Sequence, residues 1–188
     1  MKKILAILMA TVLVLSLCAC GGKGPTTSIK DPAELLNNVW AKFGENEVFM
    51  AYGGDGGEDG MSFAENAAGA YSLTNAEALE SQFAFPAAEV AKLESAATMI
   101  HGMMVNFYAA AAYKVADHNN TDALVTSIKD GLASMRWMCG QPDKYVIYTV
   151  DDLYIVSVYG NTMNVDNFKT HIVEAYPQAK LVVEEAIA

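Results

Sequence analysis

Cysteine and histidine are the residue types in this sequence that most readily carry nucleophilic chemistry. Cys139 and His171 would supply a thiol and a base, but Cys139 lies at the C-terminal end of a predicted helix. There the helix dipole disfavours a thiolate, whereas reactive cysteines lie near helix N-termini or cationic neighbours. His101 and His118 lie on other predicted elements, unlike the tight local pairs of zinc sites. We therefore predict no catalytic residue and no metal site among these side chains.

Carboxylates and methionines indicate little more. Asp151 and Asp152 are adjacent acids, a pattern typical of a hairpin turn. Met99, Met103 and Met104 carry soft sulfur atoms, yet methionines beside an apolar segment most often fill a core. The sequence contains no G-x-S-x-G nucleophile elbow, no G-x-x-x-x-G-K-[ST] phosphate loop and no H-E-x-x-H metal motif. We therefore predict no cofactor.

The glycine-rich acidic segment 53–60 is a further candidate for a ligand site. Three of its residues match positions 1, 5 and 6 of the EF-hand calcium loop. Gly57 and Asn66, however, occupy positions 3 and 12, where oxygen ligands and finally a bidentate glutamate are needed. We expect a mobile surface loop without a dedicated metal site, although the sequence leaves cation binding open.

The N-terminus carries the strongest motif. Two lysines precede an apolar run from Ile4 to Leu17, which is too short to span the ~30 Å hydrocarbon core of a bilayer comfortably. The run ends in a segment that resembles a bacterial lipobox, in which Cys20 follows the small residue Ala19. Cys18 fits poorly because it follows a bulky leucine. We predict that residues 1–19 are a lipoprotein signal peptide, the alternative being an ordinary secretory signal with incidental cysteines.

Composition narrows the class of protein. The chain has 188 residues, of which 53% are hydrophobic, enough for one domain with a real core. Acids outnumber bases by 22 to 12, which disfavours binding to the phosphates of nucleic acid. We divide the chain into the signal peptide, a lipid anchor and flexible tether over residues 20–30, and a single domain over residues 31–188.

Local patterns in the N-terminal half predict three helices and a strand. Asp31 caps a helix over residues 32–43, and residues 48–52 favour a short strand. A capping box over residues 74–77 opens a second helix. A third helix is predicted after the proline at position 86, with an apolar stripe formed by Val90, Leu93, Ala97 and Ile100.

The C-terminal half alternates strands with helices. Its predicted segments are a strand over 105–115, a helix from Leu124 to Met135, a hairpin of strands 145–150 and 153–159 joined through Asp151-Asp152, a helix through Val165, Phe168 and Ile172, and an edge strand over 181–183. This order predicts the α+β fold class, with helices packed on an antiparallel sheet.

One face of the second hairpin strand is apolar throughout. Tyr154, Val156 and Val158 share this face because side chains alternate along a strand. We predict that they pack beneath the helix that bears Leu124, Ile128 and Leu132. Ser157 is then expected to lie on the more open face of the sheet.

The segment 103–160 is similar to a domain of unknown function that occurs in small lipoproteins of Gram-positive, mainly anaerobic gut bacteria. The similarity consists in the order of the elements and a few positions, Asp122, Leu132, Arg136 and Gly160 among them. The lipobox agrees with it. Because this family has no assigned activity, the resemblance implies an extracytoplasmic location and a fold, and it supplies no catalytic residue.

Three classes of function remain, and we favour a ligand-binding or accessory interaction module held on the outer face of the cell membrane. The lipid on Cys20 would attach this module to the membrane, which is its predicted partner. The aromatic residues Trp40, Tyr52, Tyr71 and Tyr159 would line its cleft, although Trp40 fits the core better. The alternatives are an extracytoplasmic enzyme of unknown reaction and a structural envelope protein.

Replacing the lipid-accepting cysteine tests the predicted anchor. We expect Cys20→Ser to release the protein from the membrane fraction or to leave its precursor uncleaved, because a peripheral domain needs two acyl chains for stable attachment. Fractionation followed by mass measurement of the mature N-terminus reports both effects, with Cys18→Ser as the matched control. Normal processing and membrane retention of Cys20→Ser would contradict the assignment.

Overall fold

The computed structural model describes residues 29–57, 60–138 and 140–187. The predicted signal peptide, Cys20 and most of the tether lie outside these ranges, as do Glu58, Asp59 and Cys139. The predictions made for them therefore remain predictions.

The described residues form four α-helices and eight strands. In chain order these are α1 (Pro32–Trp40), β1 (Ala51–Gly53), β2 (Ala64–Glu65), β3 (Gly69–Tyr71), α2 (Ala76–Phe83), β4 (Leu93–His101), β5 (Tyr108–Val115), α3 (Thr121–Ser134), β6 (Lys144–Val150), β7 (Tyr154–Gly160), α4 (Thr162–Ala175) and β8 (Lys180–Ala186). Short 3-10 helices cover Ala87–Lys92, Val105–Phe107 and His118–Asn120.

The strands form one sheet in the order β2-β1-β4-β5-β7-β6-β8, with β3 also pairing to β4. Every pair is antiparallel. The predicted α+β class, with helices on an antiparallel sheet, is therefore confirmed.

Two crossover connections determine where the longer helices lie. The connection from β5 through α3 to β6 and that from β7 through α4 to β8 each skip one strand in the same direction across the sheet. Because β5 and β7 run antiparallel, crossovers of one hand must put their helices on opposite faces. The structure agrees, since α4 packs on one face together with α1, and α3 packs on the other together with α2.

Both faces of the sheet are thus buried, and one hydrophobic core lies on each side of it. We call the face under α1 and α4 the first face and the face under α2 and α3 the second face. The central strand β5 contributes Ala110 and Ala112 to the first core, and Ala109 and Ala111 to the second. The predicted strand over 105–115 is therefore confirmed from Tyr108 onward, whereas residues 105–107 form a 3-10 helix instead.

Several local predictions are confirmed. The side chain of Asp31 accepts a hydrogen bond from the Glu34 N–H at 2.8 Å and caps α1. Asp151 and Asp152 form the hairpin turn with positive φ angles of 52° and 57°, which acidic residues tolerate better than most. The helices α3 and α4 and the edge strand β8 also lie where the sequence predicts them.

The predicted helix after position 86 is wrong over most of its length. Residues 87–92 form a 3-10 helix, but Leu93–His101 is a strand paired with β1, β3 and β5. The segment contains alanines, a methionine and a glutamate, which favour a helix, and its apolar residues at positions 93, 97 and 100 also fit a helical stripe. The capping box is also misplaced, since Asn75 rather than Thr74 precedes α2, and its side chain makes no capping hydrogen bond.

The prediction for the faces of β7 is right in its alternation and wrong in its partner. Val156 and Val158 pack in the first core, against α1 and α4. The helix α3 packs instead on Ile155 and Tyr159, on the second face. Ser157 lies on that second face and is 3% exposed, so the open face expected there does not exist.

The burial of Ser157 changes what its substitution should do. In register it lies between Ala111 of β5 and Ile147 of β6, so the methyl group of Ser157→Thr must enter a packed core and should destabilise by ~1–3 kcal/mol. Ser81→Thr makes the same change at an exposed site and should stay within ~0.5 kcal/mol. Ile128→Ala, in the same core, should lose ~2–5 kcal/mol. Urea unfolding measures all three, and an unchanged Ser157→Thr would contradict a two-sided core.

Candidate functional site

The three histidines lie on three different elements of the described fold. His101 lies at the end of β4, His118 begins a 3-10 helix and His171 lies on α4. Cys139 lies outside the described residues. No group of three or more histidine, cysteine, aspartate or glutamate side chains suited to a metal ion occurs in the described part of the chain.

His171 instead makes a structural ion pair. Its Nε2 lies 2.8 Å from Glu47 Oε2, and its Nδ1 lies 3.0 Å from Glu174 Oε2. Burial lowers the pKa of His171, but the hydrogen bonds to the two carboxylates raise it by more, so its net pKa is raised. The hydrogen bond from the Gly44 N–H, aided by His171, lowers the pKa of Glu47. This contact ties α4 to the turn after α1.

The acidic glycine segment uses its first carboxylate to hold the local fold. Asp55 accepts hydrogen bonds from the Gly57 N–H, the Ser72 N–H and the Asn75 side chain, at 3.2, 3.0 and 2.7 Å. Asp55 therefore ties the segment to the start of α2.

The aromatic residues proposed for a cleft fall mainly in the cores. Tyr71 and Tyr159 are buried in the second core, and the Tyr159 hydroxyl donates to the Gln82 carbonyl at 2.6 Å. Trp40 packs on Phe43 and Phe49 beside the first core, as its helical stripe predicts. Tyr52 is half-buried at the sheet edge and packs against Phe63.

The methionine prediction holds for one residue of three. Met99 is buried in the first core, whereas Met103 is 74% exposed and Met104 is half-buried. The difference follows from the fold, because β4 ends at His101 and the following residues form a turn at the end of the sheet.

A cleft of about 710 Å³ lies between the C-terminal end of α3, the loop residues 135–137 and 140–141, and the ends of β6 and β8. We call it the α3–β8 cleft. Its walls are formed by Leu132, Ala133, Met135, Arg136, Trp137, Gly140, Gln141, Tyr145, Glu185, Ala186 and Ile187. Apolar, aromatic, amide and charged groups therefore converge on one concave surface, as they do in small-molecule sites.

The β8 side of this cleft holds an ordered polar network. The Tyr145 hydroxyl donates to Glu185 Oε2 at 2.6 Å, and Lys129 Nζ lies 2.6 Å from Glu185 Oε1. Hydrogen bonds from Lys129 and then Tyr145 lower the pKa of Glu185, while burial and the bond to Glu185 raise the pKa of Tyr145. At neutral pH this wall therefore carries a neutral phenol and a carboxylate whose charge Lys129 balances.

The opposite wall carries the one arginine of the sequence, Arg136. Arg136 is exposed, and within the described residues no carboxylate oxygen lies within 4.0 Å of its guanidinium. It also lines a neighbouring depression of about 270 Å³ that includes Glu80 and Ser81. Trp137, the next residue, is half-buried and packs on Tyr159, with ring centroids 4.9 Å apart.

The loop that carries these two residues is held by a buried amide. Asn106, before β5, donates its side-chain N–H groups to the carbonyls of Met138 and Gly140. Gly140 has a φ of 113°, which a residue with a side chain rarely adopts. On the far side, the Gln141 amide donates to the Ile187 carbonyl at 3.1 Å. Hydrogen bonds therefore hold both walls of the cleft in place.

The cleft lies at the end of the sheet away from the point where the chain enters. The Ile29 carbonyl accepts a hydrogen bond from Tyr154, the first residue of β7, at 3.0 Å. Tyr145 of the cleft pairs with Tyr159, near the last residue of the same strand. We call the end that contains the cleft the distal end.

Sequence reasoning did not identify Arg136 and Trp137 as site residues. Arg136 is one of the positions of the family resemblance, and no motif in the sequence contains Trp137. A usable signal was present, since a unique arginine beside a tryptophan follows directly after a predicted helix in an acidic chain. This local pattern does not reveal the second wall of the cleft. That wall is formed by the end of β8, whose Glu185 lies 44 residues after Gln141 in the sequence.

In comparisons with known proteins, no family model, curated protein or solved structure matches this chain. None of the helices in the described residues is both long and apolar enough to cross a membrane.

The His171 ion pair predicts a specific dependence of stability on pH. Because the folded-state pKa of His171 is raised, its stabilisation is complete below its unfolded pKa near 6.5 and is lost as pH rises through the folded value. The lowered pKa of Glu47 removes the contribution again at acid pH. His171→Gln should therefore destabilise more at about pH 6 than at about pH 9.

Urea unfolding at the two pH values measures this difference, with His118→Gln as the exposed control. An equal loss of stability at both values for His171→Gln would contradict the ion pair.

Proposed function

We propose that this protein is a lipid-anchored, extracytoplasmic module that binds a small ligand in the α3–β8 cleft. The observation that carries the proposal is the convergence of Arg136, Trp137, Gln141 and Tyr145 on a concave surface of about 710 Å³. A volume of this size is typical of small-molecule sites.

The position of the cleft supports the proposed anchor. The described part of the chain starts at Ile29, at one end of the sheet, and the cleft lies at the opposite, distal end. β7 separates the two ends by six residues, or ~20 Å. If lipid on Cys20 holds the chain at a membrane through a flexible tether, the cleft would lie at the end of the domain opposite the tether, where a ligand from the surroundings can reach it.

The chemistry of the cleft supports binding more than catalysis. Tyr145 is held protonated and Glu185 is held ionised in a closed network with Lys129. A general acid or base needs a pKa near the working pH, and both of these pKa values are shifted away from neutrality. The network instead suits the fixed polar contacts that orient a ligand.

A second candidate function is an accessory module that binds a protein, and exposed apolar side chains at the distal end favour it. Met103, Phe107, Met138 and Met163 are 74%, 42%, 82% and 63% exposed. They belong to one end of the sheet, because the Phe107 carbonyl accepts hydrogen bonds from the Asn161 N–H and the Asn164 side chain at the start of α4. Methionine-rich surfaces are common where a protein accommodates varied partners.

Filling the cleft tests the small-ligand proposal. Both cores consist of residues from Ile29 to Ile187, so a chain that starts at Gly21 contains the whole described fold. We expect aromatic fragments to show saturable binding to this chain by saturation-transfer NMR. Ala133→Phe should abolish it, because Ala133 is an exposed residue on the cleft wall.

Ala41→Phe is the matched control, because Ala41 is an equally exposed alanine at the end of α1, on the other side of the sheet. It should leave fragment binding unchanged. Fragments that bind Ala133→Phe as well as the unaltered chain would contradict the proposal. Loss of fragment binding on Met103→Ser and Met163→Ser would favour the second candidate function instead.

A further inference from the structure

We propose that the ligand of the α3–β8 cleft carries a carboxylate attached to an aromatic or similarly flat apolar body, with Arg136 holding the carboxylate and Trp137 contacting the body. This inference rests on the proposed function and specifies its ligand class.

The first support is that Arg136 has no carboxylate partner within the described residues. The cleft lining contains two charged residues, Arg136 and Glu185. Glu185 already forms an ion pair with Lys129 at 2.6 Å and accepts a hydrogen bond from the Tyr145 hydroxyl. It therefore does not compete with a ligand carboxylate for Arg136. A guanidinium offers a planar fork of N–H donors that matches the two oxygens of a carboxylate.

The second support is the position of Trp137 beside this charge. One side of its ring is fixed by Tyr159, with an interplanar angle of 57°, and the residue also forms part of the cleft wall. Because Asn106 holds the loop on both sides of position 139, the tryptophan and the arginine are presented together. An aromatic ligand body would gain offset or edge-to-face contact there.

The number of charges favours a carboxylate over a phosphate. Arg136 is the one cation in the cleft lining without a partner, and the chain has a formal net charge of −10. A phosphate dianion would leave one charge uncompensated inside a strongly acidic protein, and Glu80 lines the adjoining depression. A single negative charge matches the single free guanidinium.

The competing explanation for Arg136 is structural. It lies two residues beyond the end of α3, where a positive charge interacts favourably with the helix dipole. That explanation predicts a loss of stability on substitution and no effect on ligand choice. The two explanations therefore differ in what they predict for a matched pair of ligands.

Indole-3-acetate and indole-3-acetamide provide such a pair, since they share the ring and differ in charge. Titration calorimetry of the chain from Gly21 should show the acetate binding about two- to fivefold more tightly than the amide, as expected for an ion pair with an exposed guanidinium. Arg136→Gln should abolish this preference and Arg136→Lys should retain part of it. Lys42→Gln removes an equal charge from an exposed site after α1 and should leave the preference unchanged.

The outcomes separate this inference from the function on which it rests. Equal affinity of the two ligands, both lost in Ala133→Phe, would overturn the carboxylate assignment and leave the cleft as a binding site. No saturable binding of either ligand up to about 10 mM, the weak limit for a fragment of this size, would also overturn it. A lower melting temperature of Arg136→Gln with an intact acetate preference would assign Arg136 to the helix dipole.

Discussion

The burial of the central strand β5 on both faces is the constraint from which the rest of the architecture follows. Its four consecutive alanines are all at most 1% exposed. The two residues that flank this run, Tyr108 and Tyr113, are fully buried. Small side chains in the middle of the sheet let α1 on one face and α2 on the other approach closely. An antiparallel sheet commonly leaves one face to solvent, but here both faces carry helices.

The cleft is a consequence of this two-sided layering. The helix α3 begins near the hairpin turn, where Thr121 donates to the Asp152 carbonyl at 2.8 Å, and it ends at the distal edge of the sheet. The chain must then return to β6, and the returning loop stands above the sheet end because Asn106 holds it there. β8 adds the second wall by pairing with β6. The positions of Arg136 and Trp137 are therefore set by the crossover.

Sequence patterns sufficed where a short-range signal decides the structure. The N-cap at Asp31 and the Asp151-Asp152 turn depend on neighbouring residues, and both were predictable. β4 was not, because its alanines, methionine and glutamate favour a helix, and it has few of the β-branched and aromatic residues that identify β6 and β7 as strands. The expectation for Ser157 is wrong because helices cover both faces of the sheet, which leaves no open face for this residue. The cleft brings the end of α3, the loop after it and the start of β6 together with residues 185–187. Such a long-range contact leaves no periodic pattern in the sequence.

The most direct test of the account is to map where a carboxylate ligand binds. Amide and side-chain N–H chemical shifts of the isotope-labelled chain from Gly21 would be followed during titration with indole-3-acetate. The account predicts that the largest changes fall on the Trp137 indole N–H, the Arg136 side chain and the backbone of residues 185–187. Largest changes around α1 and α4, on the other side of the sheet, would contradict it.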